Sequence, residues 1–178
     1  MIRSMKQLAI AALVCAPALL AAQAVPAPGL KRDINIGIED AEKKLIALAN
    51  AIPADKFSWR PSKEVRTVSE VFVHVAMENF AIPPMIGAKE SPTKVADDAE
   101  KTITSKAAVI DFLTKSFAYA KNAVTAAPDA QMDANASYFG TPMSRRGILM
   151  QLALHGHEHL GQMIAYARMN SIVPPWSQ

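Results

Sequence analysis

The helical character of this chain is clearest in residues 148–169, which read ILMQLALHGHEHLGQMIAYARM. Steps of three and four residues connect one stripe of this segment, formed by Ile148, Leu152, His155, His159, Gln162, Tyr166 and Met169. This spacing is typical of one face of an α-helix. We predict that the helix begins at Thr141-Pro142, an N-cap followed by a proline at the first helical position, and ends before Pro174-Pro175.

Three further stripes of the same period precede this helix. The first is formed by Ile34, Ile38, Ala41, Leu45, Leu48 and Ile52 and ends at Pro53. The second opens with the capping box Thr67-Val68-Ser69-Glu70, places Val68, Val71, Phe72 and Val75 inward, and ends at Pro83-Pro84. The third is formed by Ile103, Ile110, Leu113, Phe117, Ala120 and Val124 and ends near Pro128, after a polar, irregular segment from Gly87 to Glu100.

No segment of strand length alternates with a period of two, so the sequence predicts an all-α four-helix bundle. The loops between the first two helices and between the last two are long, roughly 13 to 15 residues each. Crossover connections are therefore open, and the patterns alone leave the order of the helices undecided.

The first 24 residues have the layout of a secretory signal peptide. Arg3 and Lys6 precede an apolar run from Leu8 to Leu20, and Ala22-Gln23-Ala24 follows it. The run spans roughly 20 Å as a helix, short of the ~30 Å hydrocarbon core, so we expect no stable membrane anchor. We predict cleavage after Ala24 and a secreted or periplasmic protein consisting of a single domain, residues 25–178.

Composition limits the function of the mature chain. The whole chain is 51% hydrophobic and 20% charged, as expected of a globular domain. Without Arg3 and Lys6, 17 basic residues face 16 acidic ones, so nucleic acid is not an expected partner. The single cysteine, Cys15, lies in the predicted signal peptide, which leaves the mature chain neither a cysteine nucleophile nor a disulfide.

Three of the four histidines fall in one five-residue segment of the last predicted helix, residues 155–159. His155 and His159 are four residues apart, so both project from one face at the spacing that can hold a single metal ion. They lie on the inward stripe, where buried imidazoles need a partner. His74, on the second helix, supplies a third imidazole and completes a facial site with three nitrogen ligands.

Two other interpretations of the histidines are open. They are satisfied core residues hydrogen-bonded to Glu, Gln162 or Tyr166, or the segment is a strand in which His155, His157 and His159 share one face. On a helix His157 lies about 200° from His155, which makes it a surface residue rather than a ligand.

Other metal-binding and catalytic motifs are excluded because residues that they require are absent. A zincin needs Glu where Gly156 stands, and no histidine has the Glu three residues earlier that di-iron bundles use. The cysteines of c-type haem attachment and a glycine-rich phosphate loop are absent, and no spacing marks a nucleophilic serine.

Several further motifs accompany the histidines: Phe57-Ser58-Trp59-Arg60-Pro61, Val73-His74-Val75-Ala76, His159-Leu160-Gly161-Gln162, Tyr166-Ala167-Arg168 and Pro174-Pro175. Together they resemble the DinB-like family of metal-binding four-helix bundles, over essentially the whole mature chain. The resemblance implies an up-down-down-up bundle, one divalent metal on His74, His155 and His159, and frequent assembly into homodimers. Zinc is the first choice of metal, with nickel, iron and copper as alternatives.

Two kinds of function follow. In the first, the protein is an exported metal-dependent enzyme, a thiol transferase or hydrolase acting on a small molecule, in which the metal serves as a Lewis acid and Glu78 or Glu70 acts as base or as an orienting group. In the second, it is a non-catalytic metal-binding or small-ligand-binding module of the cell envelope. Function depends on the site rather than on the fold, so the resemblance does not decide between them.

Overall fold

The computed structural model describes residues 29–177. Its helices are α1 (Leu30–Ala51), α2 (Val68–Met85), the short α3 (Ala99–Thr102), α4 (Lys106–Ala126) and α5 (Arg145–Met169). Two antiparallel strands, β1 (Asn135–Tyr138) and β2 (Thr141–Ser144), connect α4 to α5. The predicted signal peptide and its cleavage site lie outside the described residues.

The four long helices form a bundle in which α1 and α2 each pack between α4 and α5. At one end of the bundle, Lys31 near the start of α1 donates a hydrogen bond to the carbonyl of Ala127, just beyond α4, at 2.8 Å. At the other end, Lys106 at the start of α4 donates to the carbonyl of Ile52, just beyond α1, also at 2.8 Å. The helices α1 and α4 are therefore antiparallel.

The contacts of α2 give the remaining directions. Asn79 in α2 donates to Ser116 of α4, and the later Tyr119 of α4 donates to the carbonyl of Lys89, beyond the end of α2, so these two helices run parallel. Tyr166, late in α5, donates to the carbonyl of Arg66, just before α2, so α5 runs antiparallel to α2. The bundle is up-down-down-up, which confirms the predicted fold class.

Local sequence signals account for most helix bounds. The predicted inward residues of α1 are all buried, and the helix ends before Pro53. At the start of α2 the capping box is present in full: the Thr67 side chain accepts from the backbone N–H of Glu70, and the Glu70 carboxylate accepts from the backbone N–H of Thr67. Such reciprocal caps satisfy two backbone donors that the helix itself leaves unpaired.

Two predicted bounds and one predicted inward residue are wrong. The helix α2 continues through Pro83 and Pro84 to Met85, because prolines in a last turn remove only bonds near the helix end. Ile103 follows the separate helix α3, and α4 begins after its N-cap Ser105. Met169, assigned to the inward stripe of α5, is 62% exposed. The buried face of α5 instead widens to include residues such as Leu160 and Met163.

The predicted start of the last helix is also wrong, because Thr141 and Pro142 belong to a β-hairpin. Its two-residue turn, Phe139-Gly140, has positive φ at both positions (46° and 89°), the pattern of turns that match strand twist. The true N-cap is Ser144, whose hydroxyl accepts from the backbone N–H of Gly147. Within residues 29–177 no helix is both long and apolar enough to cross a membrane.

Candidate metal centre

Three histidines meet where α2 packs against α5. Each of His74, His155 and His159 offers a ligand nitrogen, and these atoms all lie within 4.8 Å of one another. The rings of His155 and His159, one turn apart on α5, have centroids 4.5 Å apart. The ring of His74 lies 5.1 Å and 4.9 Å from them. The structure thus brings together the three residues that the sequence analysis selected.

Close packing of α5 on α1 sets the position of the histidine-bearing turn. A Cβ atom built on Gly156 would lie 3.3 Å from the Cβ of Ala41, closer than most such contacts. A larger residue at position 156 would therefore push α5 away from α1. The glycine that excluded a zincin motif has a packing role here.

The imidazole of His74 is oriented by a carboxylate from α3. Nδ1 of His74 donates to Glu100 at 3.0 Å, and Nε of Arg66 donates to the other oxygen of Glu100 at 2.8 Å. Burial opposes ionisation of Glu100, but the hydrogen bond and the positive charge of Arg66, together with the hydrogen bond from His74, lower its pKa. A carboxylate can only accept, so Nδ1 of His74 carries hydrogen and Nε2 of the neutral ring presents its lone pair.

A second set of hydrogen bonds orients His159, which is buried. Nδ1 of His159 donates to Oε1 of Gln162 at 2.8 Å, and Nε2 of Gln162 donates to the hydroxyl of Tyr166 at 3.0 Å. That hydroxyl donates to the carbonyl of Arg66 at 3.1 Å, and the ring of Trp59 packs edge-on against Tyr166. With Nδ1 donating to Gln162, Nε2 is the ring nitrogen of His159 that is left to bind a metal.

The third imidazole, His155, has no such orienting partner among the described residues. Its Nδ1 atom is buried without a hydrogen-bond partner, and its Nε2 lies 3.2 Å from Nε2 of His74. Burial lowers the pKa of His155 to about 3, aided by the charges that His159, His74 and Arg66 can carry. Burial likewise lowers the pKa of His74, with Arg66 and His159 acting in the same direction and Glu100 opposing. Both rings are neutral at physiological pH, as metal ligands must be.

These donors fit a divalent transition metal. The ligand nitrogens of His74 and His159 lie within 4.8 Å of each other and of a ring nitrogen of His155, whose single hydrogen can satisfy only one of the two lone pairs. A cation accepts all three. Zn–N bonds of 2.0–2.1 Å in a tetrahedral site place neighbouring nitrogens about 3.3 Å apart, close to the 3.2 Å between His74 and His155. The set could therefore hold one metal ion.

The other candidate residues lie outside this cluster. His157 is exposed, with Nδ1 bonded to the carbonyl of Ala153 and Nε2 3.4 Å from Asp40, as expected of a surface residue. The Glu70 carboxylate is engaged by the Thr67 cap and by Lys101, so it is not the group that orients His74. Sequence analysis missed Glu100, because it lies in the polar connection and no spacing rule relates it to His74.

Glu78, one turn beyond His74, has a different environment. The side chain is half-buried, and no hydrogen bond or ion pair engages it within residues 29–177. The pKa of Glu78 is raised, because burial and the negative charge of Glu100 outweigh the opposing charge of Arg66. Burial of Tyr138, which the hairpin carries, raises the pKa of its hydroxyl, and the negative charges of Glu78 and Glu158 raise it further.

A cleft of about 540 Å³ borders the orienting residues. Its walls include Arg66, Glu100 and Gln162, and charged side chains of both signs from the loop before α2, among them Arg60 and Lys63. Clefts of 300–1,000 Å³ are of the size that holds small molecules. The polar lining favours a small polar ligand over an extended apolar one.

Comparison with known proteins identifies the relatives of this architecture. The family model of the DinB superfamily matches residues 38–163. A DinB-like protein from Bacillus cereus ATCC 10987 is similar in structure, with a TM-score of 0.66, 22% identity, and coverage of 82% of this chain and 93% of the other. A DinB-like protein from Bacillus subtilis gives a TM-score of 0.63, 17% identity, and coverage of 82% and 98%.

A conserved protein from Enterococcus faecalis is also similar, with a TM-score of 0.64, 14% identity, and coverage of 80% of this chain and 98% of the other. No curated protein matches the chain at a significant level. At these identities the solved structures support the fold alone. The family match spans most of the described bundle and includes all three histidines. The chain belongs to the DinB superfamily.

Proposed function

We propose that this protein binds one divalent transition metal through the imidazoles of His74, His155 and His159. One observation carries the proposal: all three rings offer a ligand nitrogen within 4.8 Å of the others, and two of the rings are held by hydrogen bonds at Nδ1 that leave Nε2 free to bind a metal. Zinc suits neutral nitrogen ligands in this number best, and nickel, iron or copper are the alternatives.

Three protein ligands are the number found in catalytic zinc sites, whereas structural zinc sites use four. When bound, the metal would supply Lewis acidity for attack on a small electrophile. The cleft beside Arg66 and Gln162 would bind that small molecule. Glu78, whose pKa is raised and which has no ion-pair partner within residues 29–177, would accept a proton from the attacking group. We propose transfer to a thiol acceptor or hydrolysis as the reaction.

We also propose that the protein acts outside the cytoplasm, after removal of residues 1–24. The motivation is the charged start, the short apolar run and Ala22-Gln23-Ala24. Hydrolysis suits an exported protein as an alternative to thiol transfer, because water is available as the acceptor in every compartment.

Metal analysis of protein purified without a histidine tag and without added metal tests the first step. We expect about one equivalent of a divalent transition metal per chain, removable by a chelator and restored by titration. Less than a tenth of an equivalent, with no uptake on titration, would refute metal binding and leave the core-histidine interpretation.

Turnover is tested on the metal-loaded protein with a thiol acceptor plus an electrophile, and with hydrolysable esters and amides. Activity that chelation abolishes and metal restores supports the enzyme. Stoichiometric metal with no turnover on either class would instead support a non-catalytic binding module.

A further inference from the structure

Arg66 takes part in both sets of hydrogen bonds that orient the histidines. Its guanidinium donates to Glu100, which accepts from His74. Its backbone carbonyl accepts from Tyr166, which is linked through Gln162 to His159. One residue of the loop before α2 thus connects two ligands that lie on different helices.

We propose that Arg66 is a positioning residue that orients His74 and His159 together. The inference rests on the proposed metal binding and goes beyond it, because it assigns the geometry of two ligands to a residue whose hydrogen bonds, among the described residues, go to Glu100 and Tyr166 and not to the histidines. Outer residues of this kind fix the tautomer and ring orientation of metal-binding histidines.

The backbone at this position is well anchored. Arg66 directly precedes Thr67, the N-cap of α2, whose backbone N–H donates to Glu70 at 2.8 Å. The carbonyl of Arg66 is therefore held by the start of α2 and offers Tyr166, which is only 5% exposed, a fixed acceptor. Substituting the side chain leaves this carbonyl in place, so the two connections can be tested separately.

A simple surface ion pair would have smaller consequences. The Arg66 side chain is 42% exposed, and exposed pairs contribute little to stability. Its partner Glu100, however, is 20% exposed and bonded to His74, so losing the guanidinium frees the carboxylate to turn away from the imidazole. The loss should therefore appear in the metal site rather than in stability.

The chain offers a matched control in Arg60, which lies in the same loop and is 37% exposed. Its guanidinium lies 3.7 Å from Glu70 and, within residues 29–177, contacts neither orienting set. We expect Arg66→Gln to weaken metal binding about 10- to 100-fold, the usual effect of removing an outer orienting group. Arg60→Gln should stay within about twofold of the parent, and Arg66→Lys, which keeps a cation beside Glu100, should fall between them.

Nitrogen NMR of the metal-free protein supplies a readout that a general loss of stability does not move. In the parent, His74 should be in the Nδ1–H tautomer, and Arg66→Gln should convert it to a mixture while His157 stays unchanged. Tyr166→Phe should alter His159 in the same way. Combining Arg66→Gln with Glu100→Gln should add nothing to the loss from Glu100→Gln alone, because both act through one connection.

The proposal is overturned if Arg66→Gln weakens metal binding no more than Arg60→Gln, or weakens it without changing the His74 tautomer. If Arg66→Gln does not fold, the same comparison is made between Arg66→Lys and Arg60→Lys. If the parent takes up no metal, the proposed function fails, and the tautomers of His74 and His159 alone decide whether Arg66 positions them.

Discussion

Replacing His159 or His157 by alanine provides the sharpest test of which histidines hold the metal. The two residues are separated by one position, but their environments differ. His159 is 9% exposed and faces the cluster, whereas the His157 side chain is 41% exposed and lies on the α1 side near Asp40.

The expected effect on metal affinity follows from the number of ligands. Structural zinc sites with four ligands bind with about 10–16 kcal/mol, or about 2.5–4 kcal/mol per ligand. His159→Ala should therefore weaken binding by roughly two to three orders of magnitude. His157→Ala removes no ligand and should leave the affinity unchanged.

Stability should separate the two variants less sharply. His159→Ala leaves a cavity and deprives Gln162 Oε1 of its donor, at a cost of about 1–3 kcal/mol. His157→Ala loses a contact to Asp40 of 3.4 Å between exposed groups, which should cost no more than about 0.5 kcal/mol.

The assay is competition of each purified variant with a chromophoric chelator, with urea denaturation of the metal-free forms beside it. A loss of metal in His157→Ala together with full affinity in His159→Ala would refute the assignment of helix faces. That result would favour the strand interpretation of His155, His157 and His159, in conflict with the helix α5 over this segment.

Three further predictions concern the cap, the pH and the export segment. Thr67→Ala should lower the free energy of unfolding by about 1 kcal/mol through loss of the α2 cap, with Thr67→Ser retaining most of it, as thermal or urea denaturation can show. Because the pKa of His155 is 6.5 in its ordinary state and about 3 in the folded chain, the unfolded chain binds more protons between these values. The free energy of unfolding of the metal-free protein should therefore fall as pH drops from 6.5 toward 3, and a flat profile in urea titrations would contradict the burial of His155. Intact mass of the exported protein should correspond to a chain that begins at Val25, and a chain still beginning at Met1 would exclude cleavage after Ala24.

The helices of the bundle could be predicted because their signals are local. A period of three and four residues identifies the buried face of α1, and the capping box at Thr67 marks the start of α2. The hairpin between α4 and α5 could not be predicted in this way. Strands of four residues are too short to show alternation, and Thr141-Pro142 has the same composition as a helix start.

The candidate site divides along the same line. His155 and His159 share a face because four residues make about one helical turn, so their pairing follows from the sequence. The participation of His74 follows from a weaker argument, that polar residues on a buried stripe need partners. Packing of α2 against α5 brings it within reach of both.

The orienting groups depend on contacts between distant parts of the chain. Glu100 is 26 residues from His74, and Arg66 is 34 residues from Glu100 and 100 from Tyr166. No periodicity relates such positions. They become neighbours only when α3 packs on α2 and α5 packs against the loop that precedes α2. The amino-acid order is therefore enough to place His155 and His159 on one helix face and Gln162 within reach of His159. Packing alone determines that Glu100 orients His74 and that, among residues 29–177, His155 has no such partner.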